Sequence, residues 1–367
     1  MLKNNIIDPY ELCLCGSGKK YKFCCYKRED KNFHNSNEFK YYIQKNIKRI
    51  SICIKQDCFC KGEIINSHSI QNSKVLSNLS VDNHVYITDD SSNSGIAGND
   101  LKKYGRNKAT TSMSFCSFHD NEIFKPIELS DYTYTKKQNF LYAYRAFAKH
   151  YYDMNANLNK QQLIFKTIPK TYANNLQMVT YLRGVNVECE KHEKLRNFFN
   201  SSLDTKNFSI LDTYVIDLDY EIKFATTYMA PLSFNLNGEQ ISNLFSLTDD
   251  MRYIFVTMFP ENNKSHILIS WLNRDSKYIE KFIKEIDILR KNNMDKLINV
   301  LNNMLVSQTD NFVISPKLVD NWDEQKRKNF LALYVSTFLG TESIQNLGQE
   351  VEKNLANYQC KFNLFEK

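Results

Sequence analysis

Thirteen residues near the start of the sequence, CLCGSGKKYKFCC (13–25), gather Cys13, Cys15, Cys24 and Cys25 around Gly16-Ser17-Gly18. Zinc takes four thiolate or imidazole ligands in a tetrahedron, with Zn–S about 2.3 Å. A CxC pair, a glycine turn and a second cysteine pair supply that set within one short knuckle, because glycine reaches the backbone angles a tight reversal needs. So small a unit has almost no core, and the ion must provide its folding energy. A site filled by four protein ligands leaves no open position, so it reads as structural rather than catalytic.

A second set of ligand types is spread more widely. Residues 53–68 read CIKQDCFCKGEIINSH, and residues 115–121 read FCSFHDN. The candidate ligands are Cys53, Cys58, Cys116 and His119, with Cys60 as the substitute. Cys116-x-x-His119 lies just ahead of EIFKPIE, which can start a helix. A first cysteine pair on a knuckle and a second pair at a helix start is the layout of a treble-clef zinc site. Buried free cysteines, which pack as small hydrophobes, are the plainer explanation of the same residues. Two zinc ions are expected in all. Cys189 and Cys360 stand alone and read as packing residues.

Totals set the context. A chain of 367 residues has room for two or three domains. Ten Gly and six Pro argue for a chain built mostly of regular elements. MLKNNIIDPY has no apolar run of the signal-peptide kind, and no stretch reaches the ~18 apolar residues a membrane span needs. The expectation is a cytoplasmic, reducing location, where clustered cysteines read as metal ligands rather than disulfides. Residues 1–60 hold 12 Lys and Arg against 6 Asp and Glu, which is +6 of the overall +7. A basic excess concentrated at the cysteine-rich end suits an acidic partner such as nucleic acid, a ribonucleoprotein or an acidic protein surface. A solvated charged face explains it as well.

Residues 9–28, with Cys-x-Cys-Gly-Ser-Gly-Lys-Lys-Tyr-Lys-x-Cys-Cys at their centre, resemble the SEC-C motif, with Leu14 where that motif usually has proline. The resemblance implies one zinc ion on Cys13, Cys15, Cys24 and Cys25, and a docking role toward protein or ribosomal partners. Residues 50–125 are similar to the HNH (His-Me finger) endonucleases. They share a cysteine pair, then His68 at the end of IINSH, then Cys116-x-x-His119. That resemblance implies His68 as the general base activating water and Asp120 as a ligand of Mg²⁺ or Mn²⁺, with Asn78 or Asn83 orienting the histidine. Phosphodiester hydrolysis needs such a base and such a cation. Ser67 stands where that family usually carries Asp, His or Glu.

These residues need elements to hold them. Phe140, Ala143, Tyr144, Phe147 and Tyr151 form one apolar stripe and predict a helix over about 136–155, with Arg145, Lys149 and His150 as solvated basic residues. ILDTYVIDLDYEIKF (210–224) reads as a strand. Asp217, Asp219 and Glu221 share its face as a solvent-facing row, or as an acidic metal site. RYIFVTMF and SHILISWL read as a hairpin around PENNK. A helical block over about 276–306 takes Ser276 as its N-cap, with Ile279, Phe282, Ile283, Ile286, Ile288 and Leu289 in its apolar set. Ser315-Pro316 starts a helix running to about 338, and a last helix covers about 342–357. The reading is an α+β protein with a knuckle at 1–30, a treble-clef-like zinc domain with its following helix at 45–160, and a mixed C-terminal domain at 165–367. The leading function is a bacterial zinc-binding interaction protein acting on nucleic acid or a ribonucleoprotein. The alternatives are an HNH-like nuclease and a structural subunit of a larger assembly. Modular zinc proteins occur among bacterial defence and toxin components, an analogy of architecture only.

Overall fold

A computed structural model describes residues 6–57, 59–60, 62–88, 100–243, 250–338 and 350–367. It is mixed α+β, with antiparallel strands and helices. The chain divides into two compact units. One comprises Met1–Ile52 and Tyr151–Ser201, the other Cys53–His150 and Ser202–Lys367. The units are therefore discontinuous in sequence, unlike the consecutive segments 1–30, 45–160 and 165–367.

The first unit joins the cysteine knuckle to helix α1 (Ser36–Asn46) and to parts of two long helices, α3 (Lys136–Thr167) and α4 (Leu176–Asp204). Asn35 caps α1 by accepting from the N–H groups of Asn37 and Glu38. Helix α3 runs well past residue 155 because no Gly or Pro interrupts it before Pro169, whose missing N–H and ring forbid continuation. Ile7, Cys13, Cys15, Tyr21 and Cys25 bury against Phe165, Ala173, Val179 and Leu182. The knuckle thus borrows an apolar face from α3, α4 and their connection. Tyr21 donates its hydroxyl to Asn174 Oδ1 at 2.7 Å, and Arg183 meets the Glu11 carboxylate at 2.9 and 3.1 Å.

In the second unit, β1 (Ile64–His68) pairs antiparallel with β4 (Thr111–Cys116), and α2 (Ser117–Glu128) follows directly. A larger antiparallel sheet is built from β2 (His84–Thr88), β3 (Leu101–Gly105), β5 (Leu211–Leu218), β6 (Phe224–Pro231), β7 (Tyr253–Glu261), β8 (Lys264–Leu272) and β9 (Phe312–Ile314). Their order across it is β3-β2-β9-β6-β7-β8-β5. Two strands from the segment read as a separate zinc domain thus belong to the C-terminal sheet. The expected strand over 210–224 ends at Leu218, and the chain leaves the sheet before re-entering as β6. Asp217 accepts from His266 Nδ1 at 2.7 Å and from the Tyr134 hydroxyl at 3.0 Å, and Glu221 accepts from Asn78 and the Asn263 N–H. Asp217, Asp219 and Glu221 form no metal-ligand cluster among the described residues.

Helices α5 (Ser276–Asn292) and α6 (Met294–Gln308) bury Ile279, Phe282, Ile283 and Ile286, and Leu297, Val300, Leu301, Met304 and Leu305, in the core of this sheet. Ile288 is exposed instead, on the outer side of its turn. Ser276 is the first helical residue rather than the cap. Its hydroxyl accepts from Trp271 Nε1 at 2.9 Å and donates to Asp212 at 2.7 Å, so it serves the strand ends. The block breaks at Asn293, which caps α6 by accepting from the Lys296 N–H. Ser315 does cap Pro316–Val319, but the chain breaks again before α7 (Glu324–Phe338). Of the last expected helix, 342–349 lie outside the described residues and 350–353 are helical.

Arg145, read as a solvated residue, is buried. Its guanidinium stacks over the Phe124 ring at 4.1 Å and pairs with Glu128, because α2 folds back over α3. The hairpin turn is shorter than PENNK. Strand pairing runs through Glu261↔Lys264, leaving Asn262 and Asn263 as the turn, with φ of 53° and 63°. Both central residues at positive φ define a type I′ turn, which matches the twist of the strands and favours Asn and Gly. Asn263→Gly should fold as well as wild type, whereas Asn263→Val should lose about 1–2 kcal/mol in urea unfolding, since a β-branched residue is strained in the left-handed region.

Candidate metal centres

The knuckle is made by a reversal. Leu12 and Lys20 bridge antiparallel, Cys13 N–H donates to Lys19 O at 2.8 Å, and Tyr21–Phe23 form a single 3₁₀ turn ahead of Cys24-Cys25. Gly16 and Gly18 sit at φ of 72° and 69°. A Cβ on Gly16 would lie 2.3 Å from the Gln162 side chain of α3, so this position needs glycine for space as well as for angle. The Sγ atoms of Cys13, Cys15, Cys24 and Cys25 lie within 4.8 Å of one another, with Cys15–Cys24 at 3.5 Å and Cys24–Cys25 at 4.0 Å. A tetrahedron with Zn–S of about 2.3 Å has edges near ~3.8 Å, so the four sulfurs fit a zinc ion. Without an ion they are electrostatically strained. The Cys15 thiolate is stabilised by hydrogen bonds from Cys13 and Cys25, and Cys13, which donates to it, is pushed up to about 11. Cys25 is raised by the same neighbours. A dication among the sulfurs removes that conflict.

The second cluster is assembled by the β1–β4 pair and α2. Ile54 N–H donates to Ser114 O at 3.0 Å, and Ser117 N–H to Glu63 O at 3.1 Å, which fixes the 53–63 loop on β4. Cys116 ends β4 in extended geometry, and His119 lies in the first turn of α2. Cys53, Cys60, Cys116 and His119 place one ligand atom each within 4.8 Å of all the others. His119 Nδ1 is 3.3 Å from Cys53 Sγ and 3.4 Å from Cys116 Sγ. Cys60 therefore supplies the fourth position here, and Cys58 lies outside the described residues. Burial pushes the Cys53 thiol up to about 12 and holds the His119 imidazole below its ordinary value.

A residue not foreseen from the sequence completes this centre. Asp57 Oδ1 is 3.2 Å from His119 Nε2, so the carboxylate fixes the tautomer that turns Nδ1 toward the sulfurs. Asp57 accepts from Lys55 Nζ at 2.7 Å and from the Phe59 N–H at 2.8 Å. Burial would raise its carboxyl, but those two donors outweigh it and hold it below the usual range. Lys55, itself buried, also meets Asp204 at 2.9 Å. The available signal was an Asp inside CIKQDCFC, among the ligands it serves.

His68 ends β1 opposite Thr111 of β4. Its Nδ1 is 3.1 Å from the Ala109 carbonyl, which makes Nδ1 the protonated nitrogen, and burial lowers its pKa. The Ala109 carbonyl orients the ring. Neither expected asparagine does so: Asn78 donates to Glu221, and Asn83 accepts from Arg106 in a turn at φ 58°. Asp120 is half-buried in the first turn of α2, with its Oδ1 shielded from water. Burial raises its carboxyl, opposed by the nearby Arg145 guanidinium. Asp120 Oδ1 and Ser67 Oγ make no hydrogen bond. His68 is not a member of either cysteine cluster among the described residues.

No protein-family model, no curated protein and no solved structure matches this chain. Among the described residues, no helix is long and apolar enough to cross a membrane.

Native mass spectrometry of the full chain should find two zinc ions, with one lost in Cys15→Ser and the other in Cys116→Ser. Asp57→Asn should weaken retention of the second ion by about 10–100-fold in a chelator competition, the usual effect of removing a carboxylate that orients a ligating histidine.

Proposed function

We propose that this protein is a zinc-binding interaction protein that acts on nucleic acid or a ribonucleoprotein, with the SEC-C-like knuckle as its docking handle. Both clusters take zinc in this reading, and both are closed by four protein ligands, so the ions hold shape rather than perform chemistry. The observation that carries the reading is the outer face of the knuckle. Tyr10 and Phe23 are exposed at 62% and 60%, and Lys22 Nζ lies 3.7 Å from the Tyr10 ring and 4.6 Å from the Phe23 ring. Lys20 and Lys27 stand over the same two rings. Flat aromatic surfaces interleaved with lysines suit stacked bases and their phosphates.

A second reading has its own support. The β1–β4 pair is followed by α2, with candidate ligands on the loop and at the helix start, which supports a treble-clef-like reading. His68 Nδ1 is committed to a carbonyl, which leaves Nε2 as the basic nitrogen. In an HNH-like nuclease that nitrogen would activate water, with Asp120 and a bound Mg²⁺ or Mn²⁺ near the phosphate. The subunit alternative gains nothing comparable: among the described residues of the segment 202–367, the exposed large apolar side chains are Tyr278, Ile288 and Met294.

Two assays test these readings. Wild type should bind a single-stranded RNA of about 20 nucleotides, and Tyr10→Ala/Phe23→Ala should weaken binding by at least ~10-fold, given ~1–3 kcal/mol per stacked base. No binding to RNA or DNA would sink the leading reading. Incubation of plasmid DNA and total RNA with Mg²⁺ or Mn²⁺ addresses the second. Cleavage by wild type that vanishes in His68→Ala at equal zinc content establishes a nuclease, and absence of cleavage by zinc-loaded wild type removes it.

A further inference from the structure

A cleft of about 290 Å³ in the second unit is lined by Lys102 and Tyr104 of β3, Lys108 of the following turn, Thr110 and Thr111 at the head of β4, Lys149 of α3, and Asp310 and Asn311 beside β9. Among the described residues of the lining, three lysines from three elements stand with one carboxylate. We propose that the cleft binds a phosphate of a nucleic acid backbone. This rests on the nucleic-acid reading above and gives it a second binding surface, in the unit that does not hold the knuckle.

Three features support a phosphate. Along β3 the side chains alternate: Lys102 and Tyr104 line the cleft, whereas Lys103 points the other way and pairs with Asp320 at 3.0 Å. Lysines on an edge strand commonly discourage sheet-to-sheet pairing, and that explains Lys102. It does not explain the convergence of Lys108 and Lys149 from a turn and a helix. Next, Thr110 has φ 54°, an outlier for a β-branched residue, held there by Ser69, whose N–H and Oγ–H both donate to its carbonyl at 2.9 and 3.0 Å. The other threonine hydroxyls of the lining are engaged: Thr88 with Tyr334, and Thr111 with Lys108 O. The Thr110 hydroxyl is shielded from water and makes no hydrogen bond, so a rotation of its side chain would offer it to a ligand oxygen. Finally, the floor is rigid. Asn311 donates to Thr227 O at 2.6 Å, and its Oδ1, 2.9 Å from Ser69 Oγ, shares that hydroxyl's single proton with the Thr110 carbonyl. The volume is that of about ten waters, enough for a phosphate with its sugar.

The cleft also adjoins His68. The histidine is held by the Ala109 carbonyl, one residue before Thr110, and its strand partner is Thr111. A backbone phosphate in the cleft therefore lies beside the strand end that carries this imidazole.

The test is fluorescence anisotropy with a labelled single-stranded RNA of about 20 nucleotides across a salt series, using the full, zinc-loaded chain. K102E/K108E/K149E should bind at least ~10-fold more weakly at low salt. The slope of log affinity against log salt should fall by about 0.7, the value for one phosphate no longer neutralised. K102Q/K108Q/K149Q gives the same test if the charge reversal disturbs folding, and Thr110→Val should weaken binding with no change in slope. K277E/K281E/K284E on exposed α5 applies the same charge change elsewhere. An equal loss in that control would overturn the proposal, because the effect would then be net charge alone. Undiminished binding by both cleft variants, with Tyr10→Ala/Phe23→Ala still impaired, would overturn the cleft and leave the knuckle reading standing. No RNA binding by wild type would remove both.

Discussion

Four sulfurs within a few ångström of one another, largely removed from water, repel as thiolates and strain one another as thiols. Their apposition at residues 13–25 is the constraint on which the first unit depends. The inward face of the knuckle, Tyr21 above all, is a hydrophobic plug against Phe165, Val179 and Leu182. Without an ion the same thirteen residues have a glycine turn and one 3₁₀ turn to hold them, which is too little to offset their chain entropy.

The second centre follows the same logic with a different division of labour. Its candidate ligands come from a loop, a strand end and a helix turn, so a metal held there would join elements rather than fold one. Asp57 and Lys55 extend this order outward to Asp204 at the end of α4. On the far side of the β1–β4 pair, Phe115, Phe124 and Tyr144 stack into an aromatic wall that sets α2 against α3. His68, Asp120 and Arg145 are thereby held at fixed positions near the metal-ligating residues without belonging to them.

The clusters were legible in the sequence because ligand chemistry is a local property. Cysteine spacing and the glycine turn state the knuckle almost completely. The hairpin at Asn262-Asn263, the stripe on α3 and the cap at Ser315 are local too. What sequence reading could not reach is the set of non-local choices. Cys60 as a ligand depends on how the 53–63 loop lies on β4. The burial of Arg145 depends on Glu128 folding back over it. Ser276 looks like a cap, yet its hydroxyl is taken up in joining Trp271 to Asp212. Helix α4 has no stripe that periodicity marks, and two discontinuous units cannot be read from composition along a line.

Strand β9 is three residues long, yet it lies between β2 and β6 and pairs with both: Ile314 is the partner of Tyr86 on one side and of Phe224 on the other. The β2–β3 hairpin therefore has no edge to join until Phe312–Ile314 has been synthesised. A ribosome reads from the N-terminus, so the two halves of this sheet wait, with unpaired edges exposed, for a short stretch made long after either. The β1–β4 pair and the candidate ligands Cys53, Cys60, Cys116 and His119 are all made by residue 119, although their packing partners Tyr144 and Asp204 come later. On the nascent chain the β1–β4 pair can form first, and the sheet is the part whose unpaired edges call for protection by chaperones.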